Sequence, residues 1–377
     1  MKIISKKHSC LLSFLFFISL LFYSCGGSPS NDVQSFSPEI VAEFEEIIDE
    51  NMVQYNSPAV IAGVWVPSQG TWIKAKGYAD ITTGRKVERD DYVRIGSITK
   101  TFTITVLLQL VDEGKIHLND TLNIYFPGVQ ELANITVREL ANMTSGLFKV
   151  DKDPNFLETF LANPFKKWTP QEILNISLGH DPYFEPGTGY RYSNVNTIIV
   201  GMIIEKVTGN KIEKEIENRI ITPLNLSHTS FPTDYQIPDE HMCGYWDPNK
   251  DGDLQDMTFF DPSIAWTAGA MISTLDDLHV WAEVLAEGEL LEPETQQERL
   301  TWSGYGGDIP YEKYCLGIAY MGPFLGHTGG IQGYVSVMFY LPEKKATIIL
   351  FSQNDPDCLF EIFTGITRIL FPDDVPW

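Results

Sequence analysis

The pattern of hydrophobic and polar positions changes along the chain. Residues 38–51 have the spacing of an amphipathic helix. Two strand-like runs follow at 59–66 and 71–78, and they are separated by a Pro-Ser-Gln-Gly turn at 67–70. This order predicts a helix and then a β-hairpin.

The C-terminal part of the chain again favours short strands. A Pro-Glu-Lys-Lys segment between the last two of these runs is typical of a hairpin turn. A run with helical spacing over 359–370 is expected to form the last helix. The runs predicted as strands are 314–320, 324–328, 334–340 and 346–352.

Between these ends, residues 119–261 show helical spacing broken by proline and glycine, with little strand-like alternation. A further helix is expected over 274–287. The pattern therefore predicts an α/β (α+β) fold, in which both chain ends contribute to one antiparallel sheet covered by helices. We expect an α/β lobe formed by 38–118 and 262–377, and beside it an all-helical lobe formed by 119–261. Within that lobe, the expected helices include 136–142, 170–178 and 196–207.

The first residues have the features of an export signal. Lysines precede an apolar stretch at 11–23 that is too short for a membrane span, and Cys25 follows it. The segment resembles a bacterial lipoprotein processing site, in which the cysteine is lipidated. We predict a signal peptide over 1–24, a tether over 25–37 and a domain over 38–377, in a protein exported to the bacterial cell envelope and anchored to the membrane by a lipid on Cys25. Ordinary secretion is the alternative, because the residues before Cys25 are bulkier than usual.

Composition limits the partners. The chain has 377 residues, of which 44% are hydrophobic, and a formal net charge of −23. Loss of the signal peptide would remove three lysines and no acidic residue, which leaves 24 basic against 50 acidic residues and a net charge of −26. This charge argues against nucleic acid and anionic membrane surfaces as partners. Three cysteines remain after Cys25, so at most one disulfide can form among them.

The candidate chemistry lies at the start of an apolar run over 102–111. That run suits a buried helix, with Ser97 in its first turn and Lys100 three residues later on the same face. A serine hydroxyl becomes a good nucleophile when a neighbouring base takes its proton, and a lysine can be that base when burial lowers its pKa. The alternative is that Ser97 caps a core helix while Lys100 extends to solvent.

Two further stretches suit the same chemistry. Tyr192 and Asn194 follow a Pro-Gly turn just before a helical run, and the sequence Gly-His-Thr-Gly-Gly at 326–330 ends a strand-like run. In this order the three stretches resemble the serine β-lactamase and penicillin-binding protein superfamily. The similar branch contains class C β-lactamases, D-alanyl-D-alanine carboxypeptidases, D-amino-acid peptidases and lactamase-like esterases. The resemblance extends from about residue 38 to the C-terminus and includes Thr-Ser-Gly-Leu at 144–147.

The resemblance implies a role for each of these residues. Ser97 would attack a carbonyl group and form an acyl-enzyme, while Lys100 and Tyr192 share its proton. A phenol can serve as the base where adjacent cations lower its pKa. Asn194 would orient Lys100 and the substrate amide, and His327 would hydrogen-bond Tyr192 or a substrate carboxylate.

The residues after the histidine would bind substrate. Backbone N–H groups of Ser97 and Gly330 would form an oxyanion hole, which is worth roughly 3 to 4 kcal/mol per donor. Gly329, next to Thr328, would let the substrate backbone lie close to the strand. The resemblance implies no cofactor.

These expectations describe a serine hydrolase of the cell envelope. Class C β-lactamases have lysine where this chain has His327, and the difference favours a D-amino-acid peptidase or carboxypeptidase, or an esterase for small esters. The alternatives are a class C-like β-lactamase and a penicillin-binding sensor that is acylated without turnover. The expected partners are therefore small peptide, ester or β-lactam substrates.

One acidic segment has the spacing of a calcium loop. Asp247, Asn249, Asp251 and Asp253 stand at alternate positions, but Thr258 stands where a bidentate glutamate is needed. An ordinary turn of the Asp-Pro and Asp-Gly type explains the same residues. We favour the turn, so that no metal is expected.

Overall fold

The computed structural model describes residues 35–247, 249–305 and 313–377. The predicted signal peptide and Cys25 lie outside these described residues. Within the described part of the chain, no helix is both long enough and apolar enough to cross a membrane.

The predicted tether overlaps the folded unit at its last residues. Ser35 forms a β-bridge with Thr71. Phe36 is buried and packs edge-on against Phe44, with 5.6 Å between the ring centroids. Ser37 then caps the first helix by accepting a hydrogen bond from a backbone N–H. The folded unit therefore begins no later than Ser35.

Strands from both ends of the chain form one antiparallel sheet. Its eight strands lie in the order β3-β2-β1-β12-β11-β10-β9-β8, so the N-terminal hairpin pairs directly with the last strand. The strands are β1 (Ala59–Val66), β2 (Gly70–Asp80), β3 (Arg85–Lys86), β4 (Val93–Arg94), β5 (Tyr245–Trp246), β6 (Gln255–Asp256), β7 (Ile272–Ser273), β8 (Lys313–Tyr314), β9 (Ala319–Met321), β10 (Phe324–Ile331), β11 (Tyr334–Leu341) and β12 (Ala346–Ser352).

Helices fill the middle of the chain and cover the sheet. Residues 119–261 hold helices α3 to α8 and the short hairpin β5–β6, in keeping with the predominantly helical pattern there. The helices are α1 (Pro38–Gln54), α2 (Thr99–Asp112), α3 (Val137–Ala141), α4 (Pro154–Ala162), α5 (Pro170–Leu178), α6 (Asn194–Thr208), α7 (Ile212–Ile216), α8 (Thr222–Leu224), α9 (Leu275–Glu287), α10 (Pro293–Arg299) and α11 (Pro356–Leu370).

The sheet is buried on both faces. Helices α1 and α11 pack on one face, where Val337 and Phe339 of β11 join their core, and α2 and α9 pack on the other, where Met338 and Tyr340 point. A strand covered on both sides reads as a nearly continuous hydrophobic run, as β11 does apart from Ser336. The predicted fold class, an antiparallel sheet from both chain ends covered by helices, is confirmed.

One predicted strand is divided in the structure. The run 314–320 forms β8 and β9, and the chain turns between them at Gly317, whose φ is +65°. A Cβ on Gly317 would lie 2.5 Å from the Cβ of Ile104 in α2. The turn therefore needs glycine for its conformation and for its close contact with the helix.

Candidate active site

The turn that carries Ser97 precedes the helix. We expected Ser97 in the first turn of a helix, and it lies in a short 3-10 turn, Gly96–Ile98, that leads directly into α2 at Thr99. Gly96 has a φ of +49°, a left-handed conformation that glycine adopts without steric cost, so regular helical geometry begins only after it. Ser97 is partly exposed in this turn, so its hydroxyl is accessible to a substrate.

Strand β10 packs directly against this turn. A Cβ on Gly96 would lie 2.7 Å from the backbone nitrogen of Gly330, and a Cβ on Gly329 would lie 2.0 Å from the carbonyl oxygen of Ile95. The Ser336 hydroxyl of β11 donates a hydrogen bond of 3.0 Å to the same carbonyl. Glycines on both elements thus bring the Gly330 nitrogen beside the residue that precedes Ser97.

The segment that leads into β7 also binds this turn. Ile95 donates its backbone N–H to the carbonyl of Met271 at 3.0 Å, and the Met271 N–H donates to the hydroxyl of Thr99 at 3.1 Å. These bonds span the turn from the residue before Gly96 to the first residue of α2. The position of Ser97 is therefore fixed by the backbone on both sides of it.

Lys100 is the immediate polar neighbour of Ser97. Its Nζ lies 2.8 Å from the Ser97 Oγ and 2.6 Å from the carbonyl oxygen of Ala268, and its side chain is fully buried. Burial lowers the pKa of Lys100 well below its ordinary value, Asp151 opposes this shift, and Lys149 adds to it. A neutral amine that donates one hydrogen to the Ala268 carbonyl keeps a lone pair that can accept the serine proton.

Tyr192 lies over Lys100. The Lys100 Nζ is 4.9 Å from the centroid of the Tyr192 ring. The residue after Tyr192, Ser193, donates its hydroxyl to the carbonyl of Phe148 at 3.2 Å, which ties this segment to the one that follows the Thr-Ser-Gly-Leu sequence. The structure thus brings Ser97, Lys100 and Tyr192 into one cluster.

Asn194 occupies the first position of α6 and does not make the predicted contact. Its side-chain oxygen is buried and has no hydrogen-bond partner among the described residues. A buried acceptor without a partner is unfavourable, which is why such groups often serve a ligand. The oxygen is available to a donor that the chain itself does not supply.

His327 is fully buried and held from two sides. Its Nδ1 lies within hydrogen-bond distance of the Thr328 carbonyl, which can only accept, so Nδ1 carries the hydrogen. Its Nε2 lies 3.1 Å from the hydroxyl of Tyr314. Burial lowers the pKa of His327 to about 3, and the charge of Lys100 contributes to this, while the Thr328 carbonyl opposes it. The suggestion that His327 binds a substrate carboxylate as a cation is therefore at odds with its surroundings.

Tyr314 is a member of this cluster that the sequence did not indicate. Its buried ring packs edge-on against Tyr192, with 5.6 Å between centroids and 87° between planes, and also lies 6.1 Å from the ring of Tyr190. No motif distinguishes Tyr314 in the chain, because it is one of many aromatic residues in strand-like runs. Only the pairing of β8 and β10 through β9 brings it to His327.

A cavity of about 510 Å³ lies next to this cluster. It is bounded by the ends of β10 and β11, the start of α11 and the end of α1. Thr328, Gly329 and Gly330 therefore form part of its wall. The residues that line it are Tyr55, Met321, Thr328, Gly329, Gly330, Val335, Ser336, Val337, Pro356, Asp357, Phe360 and Glu361.

The acidic segment has the geometry of a turn. The Asp247 carboxylate accepts hydrogen bonds from the backbone of Asp251 at 3.2 Å and Gly252 at 2.8 Å. The Asp251 carboxylate accepts one from the backbone of Asp253 at 3.1 Å. Asn249 lies in the same turn. In the described ranges no group of three or more histidine, cysteine, aspartate or glutamate side chains is arranged to hold a metal ion.

The fold and this arrangement agree with the comparison to known families. The family model described as Beta-lactamase matches residues 44–361 of this chain. The chain belongs to the beta-lactamase family, and this membership, together with the structures below, supports a hydrolase.

Relatives and solved structures extend this finding. A penicillin-binding protein of Bacillus subtilis (strain 168) is 25% identical over 328 residues, which cover 80% of this chain and 70% of the relative. A D-stereospecific amidohydrolase from Streptomyces sp. has 32% identity and a TM-score of 0.78, and the match covers 88% of this chain and 98% of that one. A D-amino acid amidase from Ochrobactrum anthropi SV3, complexed with D-phenylalanine, has 26% identity and a TM-score of 0.76, with coverage of 88% and 99%.

Proposed function

We propose that this protein is a serine hydrolase that forms an acyl-enzyme on Ser97 and acts on amides or peptides of D-amino acids. The observation that carries the proposal is the 2.8 Å contact between the Lys100 Nζ and the Ser97 Oγ, at a lysine whose pKa is lowered by complete burial. A lysine in that state can be neutral at working pH, and a neutral amine next to a serine hydroxyl activates it.

The reaction follows from this geometry. As the Ser97 Oγ bonds to the substrate carbonyl carbon, its proton passes to the Lys100 amine, with Tyr192 beside it as the partner in proton transfer. Backbone N–H groups of Ser97 and Gly330 would bind the carbonyl oxygen as it becomes negative. The proton then goes to the leaving nitrogen as the C–N bond breaks. A water molecule adds to the serine ester, releases the acid and returns the proton to Ser97.

The proposed substrate class rests on similarity to two solved structures and on one buried oxygen atom that lacks a hydrogen-bond partner among the described residues. Two of the similar structures are a D-stereospecific amidohydrolase and a D-amino acid amidase. The buried side-chain oxygen of Asn194 lacks a partner among the described residues, and an amide N–H of a bound substrate would supply one. A neutral ester would lack this donor but could be hydrolysed by the same steps.

A substrate panel tests the proposal. We would compare D-phenylalanine amide, L-phenylalanine amide, a short-chain nitrophenyl ester and a chromogenic cephalosporin with wild type, Ser97→Ala and the surface control Ser227→Ala. We expect turnover of the D-amide, a fall of about 10³-fold or more in Ser97→Ala, and no change in the control. Turnover that survives in Ser97→Ala would contradict the proposal, and a burst of acylation without turnover would indicate a sensor.

We also propose export and membrane anchoring through a lipid on Cys25. The support is the sequence alone, because Cys25 lies outside the described residues. One acyl chain binds membranes only marginally, so stable anchoring requires a multiply acylated cysteine. Cys25→Ser should release the protein from the membrane fraction, and an unmodified N-terminus in the wild type, found by mass spectrometry, would contradict the proposal.

A further inference from the structure

The cavity beside β10 has apolar walls. Met321, Val335, Val337 and Phe360 contribute hydrocarbon or aromatic surface to it. Its volume of about 510 Å³ exceeds that of an amino-acid side chain. These walls would favour an apolar part of a ligand, because its transfer from water into such a site is favourable.

One residue of the cavity wall, Gly330, also lies beside the turn that carries Ser97. Gly330 lines the cavity, and its backbone nitrogen lies so close to Gly96 that a Cβ there would be only 2.7 Å away. A Cβ on Gly330 itself would meet no atom within 4 Å, so the space next to it is open. A substrate held at Ser97 can therefore extend along Gly330 into the cavity.

The charged groups at the cavity are both negative. Asp357 and Glu361 line it from the exposed side of α11, and neither forms an ion pair with any described residue. The twelve lining residues include no lysine, arginine or histidine. The cation near this part of α11, Lys250, is bound to Asp355, with 3.2 Å between its Nζ and the carboxylate.

Two basic side chains on the opposite face of β10 are buried and already make polar contacts. His327 is fully buried there, and its two ring nitrogens contact the Thr328 carbonyl and the Tyr314 hydroxyl. Lys100 is also fully buried and contacts Ser97 and Ala268. A carboxylate that entered the cavity would lose water, and the charged side chains that line the cavity, Asp357 and Glu361, would repel it.

We propose that this cavity is a subsite for the leaving part of the substrate and that it accepts an apolar group without a carboxylate. The protein would then prefer carboxamides and neutral esters over carboxypeptides and over β-lactams that carry a carboxylate next to the ring nitrogen. This inference rests on the proposed function, because it assumes that Ser97 is the reacting group.

The test uses two peptides that differ only in charge. One is an acyl-D-alanyl-D-leucine, and the other is the same peptide with a C-terminal carboxamide, cleaved at the same bond. We expect kcat/KM in wild type to favour the carboxamide by about tenfold or more. In Asp357→Asn/Glu361→Gln this ratio should fall at least threefold through faster turnover of the carboxylate. High salt should lower the ratio in wild type in the same direction, because both groups are exposed.

The control is a second pair of carboxylates at the start of another helix. Glu39 and Glu43 stand four residues apart at the start of α1, directly after a proline, as Asp357 and Glu361 do in α11. Glu39→Gln/Glu43→Gln should leave the preference unchanged. Equal turnover of the two peptides, a preference that the cavity variant does not alter, or turnover of D-phenylalanine amide without turnover of either peptide would overturn the subsite. Activity that does not depend on Ser97 would instead overturn the proposed function.

Discussion

Strand β10 has two faces, and neighbouring residues on it meet different surroundings. His327 and Gly329 point to the face that packs against the Ser97 turn, where a Cβ on Gly329 would lie 2.0 Å from a backbone oxygen. Thr328 and Gly330 belong to the other face, which borders the cavity and leaves open space next to Gly330. Because side chains alternate along a strand, one short segment can serve two tasks.

The difference teaches which residues can vary without damage to the site. On the first face, which we call the packed face, close contacts with the Ser97 turn set the position of the nucleophile. On the second, which we call the open face, the residues contact solvent or substrate. We therefore expect changes on the packed face to alter stability and chemistry together, and changes on the open face to alter substrate preference alone.

The largest effect is expected at Lys100. Lys100→Met should lower kcat by about 10³-fold or more, because the serine loses its base. Stability should hold or rise, since an apolar chain replaces a buried amine. Lys74→Met is the control, because Lys74 is partly exposed on β2 and its Nζ lies 2.7 Å from the Glu45 carboxylate. A Lys100→Met protein that keeps a tenth of wild-type kcat would contradict the assigned role.

Alanine substitutions at two adjacent glycines compare the two faces of β10 directly. Gly329→Ala should cost about 1 to 3 kcal/mol of unfolding free energy, because its Cβ would also lie 2.1 Å from the Ser336 hydroxyl. Gly330→Ala should change the free energy by less than about 0.5 kcal/mol, because its Cβ meets open space. Urea denaturation of both variants measures these free energies of unfolding. Equal losses of free energy in the two variants would contradict the distinction between the faces.

The buried side chain of His327 should make the free energy of unfolding depend on pH. The pKa of His327 is lowered to about 3, so below about pH 6.5 the unfolded chain binds a proton that the folded chain does not. The contribution of His327 to the free energy of unfolding is fully present above pH 6.5. It is lost as the pH falls, by about 1.4 kcal/mol per pH unit. His327→Gln should therefore show a weaker decline in unfolding free energy between pH 6.5 and 5 than wild type.

A second buried histidine provides the control for that measurement. His279, stacked on Trp65 at 3.9 Å, has its pKa lowered to about 4 by burial. His279→Gln should weaken the decline in the same way, but only His327→Gln should reduce turnover. An identical pH dependence in wild type and His327→Gln would mean that His327 titrates as it does in water.

The smallest effect is expected at Tyr314. Tyr314→Phe removes one hydroxyl and leaves the Nε2 of His327 without that donor, which should lower the free energy of unfolding by about 1 kcal/mol. The diagnostic signal is the ¹⁵N resonance of the His327 Nε2, which should shift. Tyr340→Phe, which removes the hydroxyl bound to Glu287 at 2.8 Å, should not move that resonance. An unchanged resonance in Tyr314→Phe would show that the two side chains do not interact in solution.

Much of the fold and part of the candidate site could be predicted from the sequence. The sheet could be predicted because β1, β11 and β12 are mostly hydrophobic runs of strand length. Helix α5 has the bounds that its proline and spacing indicate. The pairing of Ser97 with Lys100 could be predicted because a spacing of three brings side chains together in any helical turn.

Other features depend on contacts between distant parts of the chain. The Ala268 carbonyl at Lys100 is a backbone atom with no signature in the sequence, and Tyr314 reaches His327 only through the order of three strands. The division of 314–320 at Gly317 depends on the contact with Ile104 of α2. Tertiary packing decides such features, and hydrophobic spacing carries no information about them.

The most direct test of the central claim is to identify the residue that becomes acylated. A fluorophosphonate probe reacts with an activated serine, and mass spectrometry of the labelled peptides locates the adduct. We expect one adduct, on Ser97, that is absent from Ser97→Ala and forms far more slowly in Lys100→Met, because the base is missing. An adduct on another residue, or labelling that persists in Ser97→Ala, would contradict the account.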